Sequence, residues 1–314
     1  ERALKLDFSE KPNVAKLQRI ALAHIEAEKA LEAEMQGGAN PLLSSFAIGA
    51  HRALYGRLSE ADRTTDDHVV VEPGGLRVAD VKVGNHVPPT WKSIPRFLAR
   101  FDAVYGHGPD DLLVKTACAH QRLAWIHPFV DGNGRACRLQ THSALWPVSH
   151  GLWSPNRGLA RNRDEYYARL AQADGPRRGD LDGRGNLSEE GLRHWVAFFL
   201  ELCRDQVSFM AAMFDLEGMT RRIGGLTVLR SAQDKAAHAG ATLPLFPLLP
   251  PAPLPRPRCP PVPRSGQRVA RSLLSHLLKN GLVKTDTALG PVGVALPLDG
   301  LRVLLPGCVP GSAT

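Results

Sequence analysis

The most informative stretch of this chain is residues 127–138, which read His127-Pro128-Phe129-Val130-Asp131-Gly132-Asn133-Gly134-Arg135-Ala136-Cys137-Arg138. Glycine permits positive φ and a close approach of the backbone, so Gly132 and Gly134 can turn successive amide N–H groups toward one point. A helix is predicted to begin near Gly134 and to end before Pro147, and its N-terminus would add unpaired N–H donors and a positive dipole end there. The stretch therefore predicts an anion site at the start of a helix.

The charged side chains of the same stretch suit a nucleotide phosphate. Arg135 and Arg138 are three residues apart on the first helical turn, so they project from one face and can grip phosphate oxygens. Asp131 is a hard oxygen ligand of the kind that Mg²⁺ prefers beside phosphates. His127 is a proton acceptor near neutral pH. Together these residues predict a phosphate cradle with a general base beside it.

The stretch resembles the signature of the Fic (filamentation induced by cyclic AMP) family, HxFx(D/E)GNGRxxR. All eight fixed positions match: His127, Phe129, Asp131, Gly132, Asn133, Gly134, Arg135 and Arg138. The alternative is a helix–loop–helix corner with incidental charges, and it would require all eight positions to agree by chance. The resemblance implies a mainly α fold, a helical bundle with a β-hairpin flap over the active site.

The resemblance also implies an activity, the transfer of AMP from ATP to a Ser, Thr or Tyr hydroxyl of a target protein with release of pyrophosphate. Asp131 would bind Mg²⁺, and the backbone amides of residues 132–134, with the Asn133 side chain, would hold the α-phosphate. Arg135 and Arg138 would hold the β- and γ-phosphates. His127 would take the proton of the target hydroxyl.

A short β segment precedes the motif in a chain that otherwise reads as helical. Residues 69–71 and 81–83 are two β runs about the turn at residues 73–75, and the segment closes at residues 84–89. The resemblance implies that this is the flap, which aligns the target by strand addition. Its contact residues would be Val83, Gly84, Asn85 and His86. A plain surface hairpin is the alternative.

A pair of tyrosines lies downstream on a predicted helix over residues 163–170. In relatives such a pair lies near the nucleoside, so the resemblance implies that Tyr166 and Tyr167 contact adenine. Two tyrosines that merely pack between elements are the alternative. Asp174 stands where some relatives use Asn for a nucleoside contact.

Many relatives are inhibited by a helix with the pattern (S/T)xxxE(G/N), and no segment of this chain fits it. Residues 213–218 come closest, with Glu217 and Gly218 in place but Met213 instead of Ser or Thr. The default expectation is therefore an ungated enzyme, or one that is controlled by a separate antitoxin-like protein. A weaker hypothesis is that Glu217 folds back onto Arg138.

Composition predicts an ordinary globular protein, with 43% apolar and 22% charged residues. The five cysteines are odd in number and have no zinc-like spacing, which favours reduced thiols in the cytoplasm. No apolar run reaches the ~20 residues that span a bilayer. The first residues contain no apolar signal region, so we expect a cytoplasmic protein without a membrane partner.

The C-terminal part differs from the rest in charge and composition. Residues 241–314 hold eight basic and two acidic side chains, so most of the net charge of +8 belongs to this tail. Residues 244–263 contain ten prolines, which predicts a polyproline spacer. A helix over 268–280 and strands at 281–284 and 293–296 resemble the second half of a winged helix. The predicted domains are 1–215 (Fic), 216–266 (connecting helix and Pro-rich linker) and 267–314 (partial winged-helix-like α/β module).

Three classes of function follow. Protein adenylyltransferase is the leading one. The basic tail suggests a DNA-binding transcriptional regulator with a regulatory Fic domain. The third class is a Fic enzyme with another chemistry, namely UMP or phosphocholine transfer, or removal of AMP.

Overall fold

The computed structural model describes residues 6–108 and 111–233, and parts of 275–306. The chain divides into two compact units, Glu1–Ser208 and Phe209–Thr314. Each unit is treated by itself below. The domain limits drawn from the sequence, at residues 215 and 266, stay a prediction.

The first unit is mainly helical, which confirms the predicted fold class. Its α-helices, of which α10 runs past the unit boundary, are α1 (Pro12–Gln36), α2 (Ser44–Tyr55), α3 (Glu60–Arg63), α4 (Ile94–Tyr105), α5 (Leu112–Ile126), α6 (Asn133–Ala144), α7 (Trp146–Ser149), α8 (Pro155–Arg161), α9 (Arg163–Asp174) and α10 (Glu189–Met213). A 3₁₀ turn at Trp91–Ser93 precedes α4.

Local sequence signals fix both helices that flank the motif. The Asp111 carboxylate caps α5 by accepting hydrogen bonds from the backbone N–H groups of residues 113 and 114. His127 ends α5 in the left-handed conformation, with φ 52°, and the following Pro128 cannot continue the helix. Gly132, with φ 78°, forms the N-cap of α6. The predicted start of this helix near Gly134 is therefore correct to within one residue.

The helix α6 is the centre of the unit, because it packs against α1, α2 and α5. One apolar cluster, which includes Leu31, Leu54 and Leu139, joins α1, α2 and α6. A second joins α4, α5 and α6 through residues such as Phe101 and Leu123. Each such buried side chain contributes roughly 1.5–3 kcal/mol. The second half of the motif thus lies on a helix that is buried among three others.

A third apolar cluster supports the far end of α5. Trp195 of α10 is fully buried there, and its indole N–H donates a hydrogen bond of 2.7 Å to the carbonyl oxygen of Ala117. Phe199 and Leu145 belong to the same cluster. The cluster holds α5, α9 and α10 together.

The predicted pairing of the two β runs about residues 73–75 is wrong. Val70 instead forms an isolated bridge with Thr64, and Val83 forms one with His86. The reason lies in the turn and the residues after it. The Gly74 N–H donates to His51, and the Arg77 N–H donates to the carbonyl oxygen of residue 128, so the chain runs onto the motif and does not fold back on itself. The flap hairpin is reduced to a four-residue turn over 83–86.

The described part of the second unit includes a long helix, α11 (Leu216–Gln233), and a short one, α12 (Leu298–Leu304). Between them β1 (Val283–Lys284) pairs antiparallel with β2 (Gly293–Val294). The two predicted strands are thereby confirmed. The Pro-rich stretch 244–263 and most of the predicted helix 268–280 lie outside the described residues. The winged-helix interpretation stays a prediction.

Candidate active site

His127 is held in the geometry of a base at the C-terminal end of α5. Its Nδ1 lies 3.4 Å from the carbonyl oxygen of Ala124, an acceptor that makes Nδ1 the protonated ring nitrogen. Nε2 is therefore the nitrogen that can accept a proton. Burial, helped by the nearby His86 and Arg77, lowers the pKa of His127 to about 4. The imidazole is neutral at physiological pH.

Asp131 lies at the start of the Gly-Asn-Gly turn with its side chain half exposed. Its Oδ2 accepts a 2.7 Å hydrogen bond from the Tyr55 hydroxyl and lies 3.3 Å from Nη1 of Arg135. Burial favours the neutral acid, but the Tyr55 hydrogen bond and the Arg135 charge outweigh it and hold the pKa of Asp131 below its usual value. An ionised, half-exposed carboxylate fits the hard oxygen ligand that Mg²⁺ takes beside phosphates.

The turn before α6 presents backbone donors, but the Asn133 side chain is not among its open groups. Asn133 Nδ2 donates to the Phe129 carbonyl oxygen at 2.8 Å, and its Oδ1 accepts from the Phe129 N–H at 2.9 Å. Asn133 is 5% exposed. The expectation that its side chain holds the α-phosphate is thus not supported, because both amide atoms close the loop. The first N–H groups of α6, at residues 133–135, have no intrahelical acceptor and remain available to an anion.

The two motif arginines lie along the first turns of α6. Arg135 Nη1 donates to the Tyr55 hydroxyl at 2.9 Å. Arg138 Nη1 lies 3.1 Å from the point where a Cβ on Gly134 would stand, so its guanidinium reaches back over the helix N-terminus. Both guanidinium groups are partly exposed, and both lie beside the anion site that the helix N-terminus forms.

Tyr166 lies in the core and not on the surface of a nucleoside pocket. It is 5% exposed, its ring packs 5.8 Å from that of Trp195, and its hydroxyl lies 3.0 Å from Nε2 of His120. This burial does not support the predicted contact of Tyr166 with adenine, which stays a prediction. Tyr167 is 53% exposed and lies under the Arg163 guanidinium. Only Tyr167 of the pair keeps a face open to solvent.

The Tyr166 hydroxyl nevertheless supports the candidate site from the interior of the protein. It hydrogen-bonds the Arg138 side chain, while His120 in turn contacts the Thr141 hydroxyl at 2.7 Å. Burial lowers the pKa of His120 to about 3, so this imidazole is neutral. The buried chain of polar groups orients Arg138 from inside the protein. The sequence offered no signal for it, because its members come from three different helices.

His51 of α2 is a supporting residue that sequence reasoning missed. Its ring is fully buried and stacks on Phe129 at 4.0 Å and on Tyr55 at 4.4 Å. Nδ1 accepts the Gly74 N–H at 2.9 Å, so Nε2 carries the proton and donates to the Asp131 carbonyl oxygen at 3.0 Å. The available signal was the i, i+4 spacing of His51 and Tyr55, which puts both on the face of α2 that meets the motif.

Arg77 is the second residue that was missed, and it is 2% exposed. Its Nε donates to the carbonyl oxygen of His127 at 2.8 Å, and its Nη1 donates to that of Ala79 at 2.8 Å. Its Nη2 donates to the carbonyl oxygen of Pro89. One guanidinium therefore joins both ends of the flap segment to the motif.

The flap turn lies beside the candidate base. Val83 and His86 exchange two backbone hydrogen bonds of 3.0 Å about Gly84 and Asn85. The His86 ring lies 6.4 Å from that of His127, and its Nε2 contacts the carbonyl oxygen of Trp125 at 2.9 Å. The flap turn is thereby docked on the end of α5, beside His127.

Asp174 is engaged by protein groups on both carboxylate oxygens. Gln121 Nε2 donates to Oδ1 at 2.7 Å, and Oδ2 lies 3.4 Å from Nδ1 of His86. Burial raises the pKa of Asp174 above its usual value. In this structure the side chain anchors the flap, and the nucleoside contact considered for it stays a prediction.

Glu217, the candidate inhibitory residue, lies on α11 of the second unit. Its side chain is 88% exposed, and its carboxylate lies 3.9 Å from Nη2 of Arg221. The proposed contact with Arg138 stays a prediction.

Part of this chain is similar to known proteins. Residues 41–145 match the Fic/DOC family. The protein adenylyltransferase Fic of Nematostella vectensis is 33% identical over 107 residues, which are 33% of this chain and 24% of that protein. The protein adenylyltransferase Fic of Drosophila grimshawi is 37% identical over 107 residues, 33% of this chain and 22% of that protein. The chain thus spans about a quarter of the length of these curated relatives.

Among solved structures, a Fic family protein from Desulfovibrio desulfuricans G20 superposes with a TM-score of 0.50 at 16% identity, and covers 94% of this chain and 79% of that chain. At this identity the likeness bears on the fold alone. With the family match it confirms the resemblance that residues 127–138 predicted. Within the described residues, no helix has the length and apolarity required to cross a bilayer.

Proposed function

We propose that this chain, in which residues 41–145 form a Fic/DOC domain, is a protein adenylyltransferase that transfers AMP from ATP to a hydroxyl group of a target protein. The observation that carries the proposal is the position of His127. Its neutral imidazole lies between the flap turn and the N-terminus of α6, where a target hydroxyl and a phosphate would meet. The curated relatives that match this region are named protein adenylyltransferases.

The phosphates would bind at the start of α6. The N–H groups of residues 133–135 would hold the α-phosphate, and a donor of this kind supplies roughly 3 kcal/mol of transition-state stabilisation. Arg135 and Arg138 would bind the β- and γ-phosphates, which orients the α-phosphorus for in-line attack. Asp131 would hold Mg²⁺, whose charge neutralises the phosphate oxygens.

The chemical step needs one proton transfer by the protein. His127 Nε2 would accept the proton of the target hydroxyl as its oxygen bonds to the α-phosphorus. The bond from the α-phosphorus to the bridging oxygen breaks, and pyrophosphate leaves. General-base help of this kind contributes about 10²–10⁴-fold to the rate.

The target segment would be aligned by the flap. In strand addition, backbone hydrogen bonds hold an extended peptide beside an exposed edge. This edge lies next to Val83 and ends at His86. The ring centroids of His86 and His127 are 6.4 Å apart. A Ser, Thr or Tyr presented along it would bring its hydroxyl to Nε2.

The test is incubation of the purified chain with ATP labelled on the α-phosphate, in a cell lysate that supplies targets. We expect transfer of this label to protein, no transfer from γ-labelled ATP, and loss of transfer in His127→Ala. His194→Ala is the matched control, because His194 is an exposed histidine on α10. Label from UTP in place of ATP would change the donor to UTP and the transferred group to UMP. An absence of label from every nucleotide, with folded protein, would contradict the proposal.

The DNA-binding alternative depends on residues 241–314, most of which lie outside the described residues. No observation of the structure favours it over the enzyme. Control by an antitoxin-like partner is compatible with the proposal, since the chain contains no complete (S/T)xxxE(G/N) pattern.

A further inference from the structure

Two carboxylates and one imidazole converge between α1 and α6, on residues that the proposed reaction does not use. Glu28 and Glu32 lie one turn apart on α1, and His142 lies on the last turn of α6. Ligand atoms of all three side chains lie within 4.8 Å of one another. The His142 Nε2 and an oxygen of Glu28 are 3.6 Å apart.

The imidazole is the unusual member of this cluster. His142 is 6% exposed, and its Nε2 is buried with no hydrogen-bond partner among the described residues. A buried polar nitrogen without a partner is unfavourable, and such atoms commonly mark an absent water or ion. This nitrogen points at the space that Glu28 and Glu32 share.

The charges of the cluster are also uncompensated. In the part of the chain that the structure describes, neither Glu28 nor Glu32 has a lysine or arginine within ion-pair distance, and the ion-pair contact of Glu28 is with His142. Two carboxylates beside one imidazole carry a net negative charge whether the ring is protonated or neutral. A bound dication would balance this charge and give Nε2 a ligand bond.

We propose that Glu28, Glu32 and His142 form a binding site for a first-row transition-metal dication such as Zn²⁺. One imidazole nitrogen with carboxylate oxygens is a donor set that such ions accept, whereas Mg²⁺ favours oxygen ligands alone. Two ligands of a tetrahedral Zn²⁺ stand about 3.4 Å apart, given bond lengths of about 2.1 Å. The 3.6 Å between His142 and Glu28 is close to this spacing. Glu32 is partly exposed and can rotate to supply the third ligand.

The place of the site on α6 indicates a structural role. Arg135, Arg138 and His142 follow one another at i, i+3 and i+7, so they lie along one stripe of the helix. A metal at His142 would bind α1 to the C-terminal end of this stripe, while the two arginines lie at its N-terminal end. The ion would thereby stabilise the packing of α1 on the helix that carries the motif.

The test is metal binding by the full chain and by variants of the two glutamates. Purified protein is titrated with Zn²⁺, and with Co²⁺ as a spectroscopic probe, and the melting temperature is recorded with and without Zn²⁺. We expect each chain to bind one ion through this cluster. The Tm should rise by about 5 °C or more at saturation. Glu28→Gln and Glu32→Gln should each weaken that binding at least about tenfold and abolish the rise in Tm.

Glu34→Gln is the matched control, because Glu34 is an exposed glutamate of the same helix. It should bind metal as the unmodified chain does. His142→Gln removes the nitrogen ligand, and its fold is checked by circular dichroism because the residue is buried. Wild-type binding and Tm shifts in both glutamate variants, or no Zn²⁺ bound by the unmodified chain, would overturn the proposal. Neither readout involves AMP transfer, so the result is independent of the proposed activity.

Discussion

The guanidinium of Arg77 holds the backbone carbonyl oxygen of His127 at 2.8 Å. His127 has a left-handed backbone conformation, with φ 52°, which is unfavourable for a residue with a side chain. The hydrogen bond opposes relaxation of that conformation. Because the same guanidinium also binds the carbonyl oxygens of Ala79 and Pro89, the base and the flap are positioned by one buried cation.

Arg77→Lys should therefore lower kcat more than it changes KM for ATP. Lysine keeps the charge but cannot reach three carbonyl groups with a planar fork, so His127 and the flap lose their common anchor. We expect a fall in kcat of about 10- to 100-fold, as for misplacement of a catalytic group by about 1 Å. Steady-state kinetics of AMP transfer separate the two constants.

Arg204→Lys is the control for that substitution, because the Arg204 side chain is 78% exposed. It should leave both constants unchanged. An Arg77→Lys variant with normal kcat would show that the base does not need this anchor.

The pH dependence of the proposed AMP transfer would report the protonation state of His127. Burial lowers the pKa of His127 to about 4, and a general base acts in its neutral form. Activity should therefore persist as pH falls through 6.5, the usual value for histidine, and should decline only as the pH approaches 4. The measurement is kcat/KM between pH 8 and pH 4.5 at constant ionic strength. An inflection near pH 6.5 would show that the base is not held neutral by burial.

The signature predicted the start of α6 and the turn before it, because these depend on neighbouring residues. A glycine at position 132 and a proline at position 128 determine the turn locally, so the chain around them could be anticipated. The supporting residues could not be predicted in this way. Arg77 and His51 reach the motif from segments 50 or more residues away along the chain. The spacing of residues along the sequence does not predict such contacts.

Contacts between distant segments also explain where the structure differs from the expected arrangement of side chains. Tyr166 lies next to Tyr167 in sequence, but the helix turns one into the core and leaves the other at the surface. Asn133 has the side chain of a phosphate ligand, but the loop before it needs both of its hydrogen bonds. The β runs near the flap have strand propensity, yet Val70 pairs with Thr64 and Val83 with His86, because Gly74 and Arg77 between the runs bind α2 and the motif. Tertiary contacts decided each case.

His51 should make stability depend on pH between about 6.5 and 4. Burial lowers the pKa of His51 to about 4 in the folded state, and in the unfolded chain it would be near 6.5. The unfolded state therefore binds one proton more in this window, so the free energy of unfolding falls as pH falls, by up to about 3 kcal/mol. Below pH 4 this contribution no longer changes, because both states are then protonated.

Replacement by glutamine tests that contribution, since an amide can accept from Gly74 and donate to Asp131 without titrating. The free energy of unfolding is measured by denaturant titration at pH 7.0 and at pH 4.5. His51→Gln should lose less stability between these pH values than the unmodified chain does. Equal losses would mean that His51 is solvated or paired with an acid.

Gly132 is required for its backbone conformation and for the space that it leaves to Tyr55, and a comparison with Gly38 separates these two requirements. Its φ is 78°, and a Cβ there would stand 2.3 Å from the Tyr55 ring. Gly38 also has a positive φ, of 88°, but a Cβ there would meet no atom within 4 Å. Gly38→Ala should cost only the conformational penalty, about 1 kcal/mol. Gly132→Ala should cost that amount and the displacement of Tyr55, typically 1–3 kcal/mol more for an overpacked site.

The displaced tyrosine carries the hydroxyl that joins Asp131 to Arg135. Gly132→Ala should therefore reduce AMP transfer by more than its loss of stability explains, measured at a temperature where both variants are folded. Gly38→Ala should keep full activity at the same temperature. If the two variants lose equal stability and equal activity, the contact between Gly132 and Tyr55 has no role in shaping the cradle.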